Sequence, residues 1–81
     1  MQVRVRLGPG LAEVAGTARL AVDLGEGATV GHLIECLGAE HPALGRGLGS
    51  ALPLIAGTHA EPGRPLAGGE EVALLLPAAG G

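Results

Sequence analysis

The run "EVALLL", residues 71–76, is apolar on both parities: Val72, Leu74 and Leu76 alternate one way, Ala73 and Leu75 the other. Half-buried strands alternate apolar with polar, so a strand with two apolar faces either lies inside a sheet or keeps one face for a partner. Both readings require further strands, and the chain supplies them. "QVRVRL", residues 2–7, puts Val3, Val5 and Leu7 on one face and Gln2, Arg4 and Arg6 on the other. "ARLAVDL", residues 18–24, repeats the pattern with Leu20, Val22 and Leu24. Period two with branched apolar residues predicts two half-buried strands that pair as an antiparallel hairpin. Gly8-Pro9-Gly10 breaks the first, and "LAEVAG" gives the long connection one short helical turn closed by Gly16.

After a second break at "GEGA", Thr29 stands where an N-cap belongs, its hydroxyl able to accept from an orphan amide of a first turn. Val30, Leu33, Ile34 and Leu37 follow at helical spacing. Gly31 and Gly38 weaken this helix, each by about 1 kcal/mol relative to Ala, and Pro42 stops it or forces a new start. "ALGRGLGSAL" reads as loop with at most a helical turn, "PLIAG" as a short strand, and "THAEPGRPLAGGE" as a connection with a brief edge strand near His59. One helix amid four or five strands must cover one face of a single sheet. With the last strand central and parallel to the first, the expectation is an α+β domain of β-grasp type: a mixed sheet of four to five strands with one main helix on one face.

At 81 residues the chain has room for one small domain. It has no Phe, Tyr or Trp, so the core must be built from Leu, Val, Ile and Ala, and there is no aromatic platform for nucleic-acid bases. A net charge of −3 argues against binding a phosphate backbone. The single cysteine, Cys36, cannot form an internal disulfide, "MQVRVRLGPG" lacks the apolar core of a secretory signal, and no apolar run spans a bilayer. The expected setting is the cytoplasm, with neither nucleic acid nor membrane as partner. The five basic residues are all Arg. GC-rich coding explains that most simply, although a chain without lysine also offers no side-chain amine to an activated carboxylate.

Beyond these patterns, the sequence resembles the small ubiquitin-like sulfur carriers, and among them the small subunits of molybdopterin synthase. The resemblance runs through "VRVRL", "EVAG", "LGEGATVGHLIECL", "HPAL", "RPLAGGEEVALLLP" and the closing "GG". "EGATVGHL" and "EEVALLLPAAGG" are its most specific stretches. Three positions depart from the family: Gly8-Pro9-Gly10 stands where an aromatic is usual, Ala56-Gly57 where Asn-Gly is common, and Gly68-Gly69-Glu70-Glu71 where an acidic residue follows the turn glycine.

The resemblance implies a function for the last residues. It divides the chain into a β-grasp domain, residues 1–76, and a flexible tail, residues 77–81. Gly81 would be the working residue. An E1-like adenylyltransferase, using ATP and magnesium, would adenylate its carboxylate, and a sulfur donor protein would convert it to a thiocarboxylate. The thiocarboxylate would then donate sulfur to a pyranopterin precursor held by the molybdopterin synthase large subunit. The carrier itself would be a cosubstrate with no bound cofactor, metal or catalytic pocket. Gly80 lacks a Cβ and so would let the tail lie extended in a narrow channel. Pro77 would end strand pairing, Ala78 and Ala79 would keep the exit slim, and Leu75 beside Ala73 would form an apolar docking patch. For Leu75 and Ala73 burial under a neighbouring loop is the competing reading. Other readings are a carrier for thiamine, cysteine or tRNA thiolation, a ubiquitin-like protein modifier, or a β-grasp interaction module with an inert tail.

The remaining reactive side chains carry less. Cys36 has no basic neighbour within four positions and reads as a small half-buried thiol. His32, His41 and His59 lack metal-ligand spacing. "GEGATVG" and "GRGLGS" lack the residues of a dinucleotide fingerprint and of a P-loop.

Overall fold

A computed structural model describes residues 1–77. Its elements are β1 (Gln2–Leu7), α1 (Pro9–Ala15), β2 (Arg19–Asp23), α2 (Val30–Glu40), a 3-10 turn (Pro42–Leu44), α3 (Gly45–Ser50), β3 (Leu52–Ile55), β4 (Thr58–His59) and β5 (Glu71–Leu75). The five strands form one sheet in the order β2-β1-β5-β3-β4. β1 and β2 are antiparallel, and β1 and β5 run parallel, with Val5 opposite Val72 and Leu7 opposite Leu74. β5 is therefore central, one of the two positions its apolar faces allowed, and the architecture is the β-grasp.

Residues opposite one another in register share a face of the sheet. Val3, Val5, Leu7, Val22, Val72 and Leu74 form the inner face and bury against Val30, Leu33 and Leu37 of α2, all within one aliphatic cluster. Six of these side chains are wholly inaccessible. Ile34, also on the expected stripe, is only half-buried at its margin. Cys36 is a half-buried free thiol packed against the same cluster.

The α2 N-terminus is capped as Thr29 predicts. The Thr29 Oγ1 accepts from the His32 amide at 3.3 Å, and the Thr29 amide donates to His32 Nδ1 at 3.0 Å. A histidine thus fills the place that Glu or Gln takes in an ordinary capping box. Two further orphan amides are satisfied from the loop 60–70: Val30 donates to the Arg64 carbonyl at 3.0 Å and Gly31 to the Pro62 carbonyl at 2.9 Å.

The helical content exceeds the sequence expectation. Pro9 begins α1 with Gly8 as N-cap, so the segment that ends β1 also starts a seven-residue helix, closed by Gly16 at φ 78°. The glycine-dense stretch after Pro42 is likewise helical, as the 3-10 turn and α3. Its Leu44 and Leu48 reach the core, and that burial offsets the poor intrinsic propensity of its glycines. Pro53 lies within β3 because its carbonyl, and hence its donor-less nitrogen, points to the edge side, where the Ala60 amide donates to it at 2.9 Å. The β3–β4 turn places Ala56 at φ 51° and Gly57 at φ 79°, the conformation that makes Asn-Gly common in such hairpins.

Candidate functional site

The site implied by the sequence begins where β5 leaves the sheet. The Gly8 amide donates to the Leu74 carbonyl at 2.9 Å, after which the chain on the β1 side turns into α1. On the other side Leu52 still pairs with Leu75. Beyond Leu75 no described strand accompanies the chain. Leu76 and Pro77 are exposed, and Pro77 offers no amide to extend the ladder. Ala78, Ala79, Gly80 and Gly81 lie outside the described residues.

This exit is shaped by glycines. A Cβ on Gly8 would sit 3.0 Å from Leu75 Cδ2 and 3.4 Å from the Leu74 carbonyl oxygen. On Gly10 it would meet Leu76 Cδ1 at 2.9 Å. On Gly47 it would meet Leu11 Cδ2 at 2.5 Å, with Leu76 Cδ2 3.8 Å away. The last two leucines before the proline therefore rest on backbone: Leu75 over Gly8, and Leu76 between α1 and α3. Read from sequence, these glycines were breaks and loop. Their role depends on which segments the fold brings together, and no local signal carries that.

Leu75 and Ala73 share the outer face of the sheet with Leu52 and Leu54, since Leu52 pairs with Leu75 and Leu54 with Ala73. No described helix covers this face. Ala73 is nonetheless buried, with Arg6 opposite it on one side and Leu54 on the other, so strand neighbours enclose it and no loop is needed. Leu75 is half-buried, and Leu52 and Leu76 are 44% and 40% exposed. An apolar patch thus adjoins the base of the tail.

A different arrangement holds the loop before β5. Arg64 donates through Nη1 and Nη2 to the two carboxylate oxygens of Glu70, both at 3.0 Å. Glu70 Oε1 also accepts from the Ala67 amide at 2.8 Å. The Arg64 hydrogen bonds, then the Ala67 amide, hold the Glu70 carboxyl below its ordinary value, and Glu70 raises Arg64 in return. This pair fixes the loop that caps α2. It is a structural clasp at the end of β5 opposite Pro77. Among the described residues no group of three or more His, Cys, Asp or Glu side chains could hold a metal ion, and no helix is long and apolar enough to cross a membrane.

The model of the ThiS family matches residues 9–81, nearly the whole chain, with the tail included. The chain belongs to the ThiS family. It is thus a ubiquitin-like carrier domain of the ThiS type. Among solved structures it is similar to SAMP1 from Haloferax volcanii, at 34% identity and a TM-score of 0.90, with 100% of each chain covered. Two further structures share the fold at lower identity. One is a putative molybdopterin converting factor subunit 1 from Pyrococcus furiosus, at 21% identity and a TM-score of 0.86, covering 96% of this chain and 99% of that one. The other belongs to a complex of subunits 1 and 2 of the molybdopterin-converting factor from Helicobacter pylori, at 22% identity and a TM-score of 0.74, with 100% of each chain covered. No curated protein matches this ThiS-family chain.

Proposed function

We propose that this ThiS-family chain is the small, sulfur-carrying subunit of a molybdopterin synthase. The Gly81 carboxylate attacks the α-phosphorus of ATP on an E1-like adenylyltransferase and pyrophosphate leaves. A sulfur nucleophile delivered by a donor protein then displaces AMP at the same carbonyl carbon. The resulting thiocarboxylate is presented to a pyranopterin precursor in the large subunit. Gly80, Ala79, Ala78 and Pro77 form the thin lead that reaches that pocket, and Leu75 anchors the patch that docks against the partner. The observation that carries this reading is the family match running through the terminal Gly-Gly, behind an exposed Pro77 at which strand pairing has already ended. The Helicobacter structure, in which a subunit of this fold is complexed with subunit 2, supports a partner of the large-subunit type.

A second reading is favoured by the 34% identity with SAMP1, named in a related structure as a small archaeal modifier protein. In it the same activated carboxylate is passed to an amine of another protein.

Both readings require activation of Gly81. With the adenylyltransferase of the same cell and ATP, intact mass is expected to show an AMP adduct, then replacement of one oxygen by sulfur. No adduct on the wild-type chain removes both readings. Co-purification of the large subunit supports the synthase reading, and isopeptide-linked products support the modifier reading. The variant Gly80→Ala is expected to leave the melting temperature unchanged and to slow sulfur transfer about 100-fold or more, because a methyl obstructs the extended tail in its channel. A destabilised variant with full transfer would overturn the role given to Gly80.

A further inference from the structure

The sheet has two edges, and they differ. β4, at one edge, is the dipeptide Thr58–His59, too short to template a partner strand. β2, at the other, runs unbroken over the five residues Arg19–Asp23 and contains no proline. In an antiparallel pair, positions that bond to the neighbour alternate with positions that do not. The Leu7 amide donates to the Ala18 carbonyl and the Leu24 amide to the Met1 carbonyl, both at 2.8 Å. Leu20 and Val22 therefore turn their amides and carbonyls toward β1, and Arg19, Ala21 and Asp23 turn theirs to the open edge. The Thr17 hydroxyl occupies the outward groups of Arg19, accepting from its amide at 3.3 Å and donating to its carbonyl at 3.1 Å. Among the described residues no hydrogen bond takes the outward groups of Ala21 or Asp23.

The side chains along this edge select the occupant. Arg19, Ala21 and Asp23 alternate as cation, methyl and anion on the exposed face of the strand. Turned antiparallel on itself about Ala21, the strand sets Arg19 opposite Asp23 of the second copy and Asp23 opposite its Arg19. Ala21 meets Ala21, Leu20 meets Val22, and every outward amide and carbonyl of both strands finds a partner. Centring on Arg19 or on Asp23 would oppose like charges, and centring on Leu20 or Val22 would leave both charges without their opposites. Within one chain, moreover, Arg19 stands opposite Arg6, an arrangement that destabilises a sheet, and neither has a carboxylate partner among the described residues. Asp23 of the second copy supplies the missing carboxylate. We propose that two copies of this chain join edge to edge through β2, in the register centred on Ala21, with the Thr17 hydroxyl displaced from Arg19. The symmetry axis stands normal to the sheet. Both α2 helices then cover one face of a continuous sheet, and the opposite face, with Leu52 and Leu75, stays open on both copies. A single strand pair buries less than the about 1,200 Å² of a stable interface, so the association is weak and reversible. It does not depend on the carrier reading.

Sedimentation equilibrium of the full chain, from about 0.02 to about 2 mM, is expected to show a monomer–dimer equilibrium. Amide exchange at Ala21 and Asp23 is expected to slow as concentration rises, a readout that needs no variant. Arg19→Asp and Asp23→Arg each oppose like charges across the axis, and each alone is expected to self-associate at least about tenfold more weakly. Mixed in equal amounts, the two variants restore opposite charges at both positions, and association is expected to return to wild-type strength. Both keep the fold: the first places a carboxylate opposite Arg6 and the second stands opposite Gln2, so melting temperatures are expected to hold or rise. A wild-type chain that stays monomeric at about 2 mM overturns the proposal. So does a dimer indifferent to both charge reversals, or one whose protected amides are those of Thr58 and His59. Single variants that weaken association without recovery on mixing overturn the register, and the proposal with it.

Discussion

The two segments that flank β5 are held by opposite means. The loop before it, residues 60–70, is fixed by directional bonds. Its carbonyls cap α2, the Leu66 amide donates to the Ala28 carbonyl at 2.9 Å, and Arg64 and Glu70 clasp it from within. Among the described residues, the segment after it receives no strand partner beyond the Leu52–Leu75 pair, and Leu75 and Leu76 merely rest on glycine backbone. A clasp of hydrogen bonds fixes orientation, because each bond weakens steeply when misaligned. Leucines on a glycine floor fix position by volume and not by directional bonds. The contrast suits the proposed function, in which the loop stays and the last residues reach another protein's pocket.

The sharpest way to break this contrast is to fill the floor. Gly47→Ala puts a Cβ 2.5 Å from Leu11 Cδ2, and Leu11 is nearly inaccessible. Overpacking there is expected to cost about 1–3 kcal/mol, read as a lower urea midpoint with an unchanged slope. A variant as stable as wild type would show that the floor has slack and does not locate the exit.

The clasp is tested through pH. Glu70 has its pKa lowered in the folded state by Arg64 and the Ala67 amide, so it contributes stability above the ordinary carboxylate value and loses it as pH falls through the lower, folded value. Wild-type stability is therefore expected to fall as pH drops below about 4. Glu70→Gln is expected to be less stable near neutrality, by less than Gly47→Ala, and to lose less on acidification. Parallel curves for the two proteins would show that the clasp does not hold the loop.

The smallest effect uses a glycine that floors nothing. A Cβ on Gly38 of α2 would meet Leu48 Cδ1 at an ordinary 3.8 Å. Gly38→Ala is expected to stabilise by about 0.5–1 kcal/mol through helix propensity alone, raising the melting temperature by a few degrees. A loss of stability would mean that glycines in this fold are retained for packing even where space is open.

Much of the fold was legible because its signals are local. Alternation in residues 2–7 and 18–24, the Thr29 cap and the Val30–Leu33–Leu37 stripe depend on period alone. The double apolar face of "EVALLL" narrowed β5 to a central strand or one with a face kept for a partner, and the sheet order makes it central. The helices α1 and α3 were harder to read, because glycine and proline argue locally for breaks, and only burial of Leu11, Leu44 and Leu48 outweighs that argument. The His32 side of the capping box went unread because histidine is not the usual residue there.

Taken alone, the amino-acid order determined which residues alternate, which turn, and that the chain closes on Gly-Gly after a proline. Those properties belong to neighbours along the backbone, whose spacing is fixed by covalent geometry. Tertiary structure alone decided that Gly8, Gly10 and Gly47 would lie beneath two leucines, and that Arg6 would stand opposite Arg19. Register and approach across the fold are set by how the whole aliphatic core packs, and no short stretch of sequence contains that information.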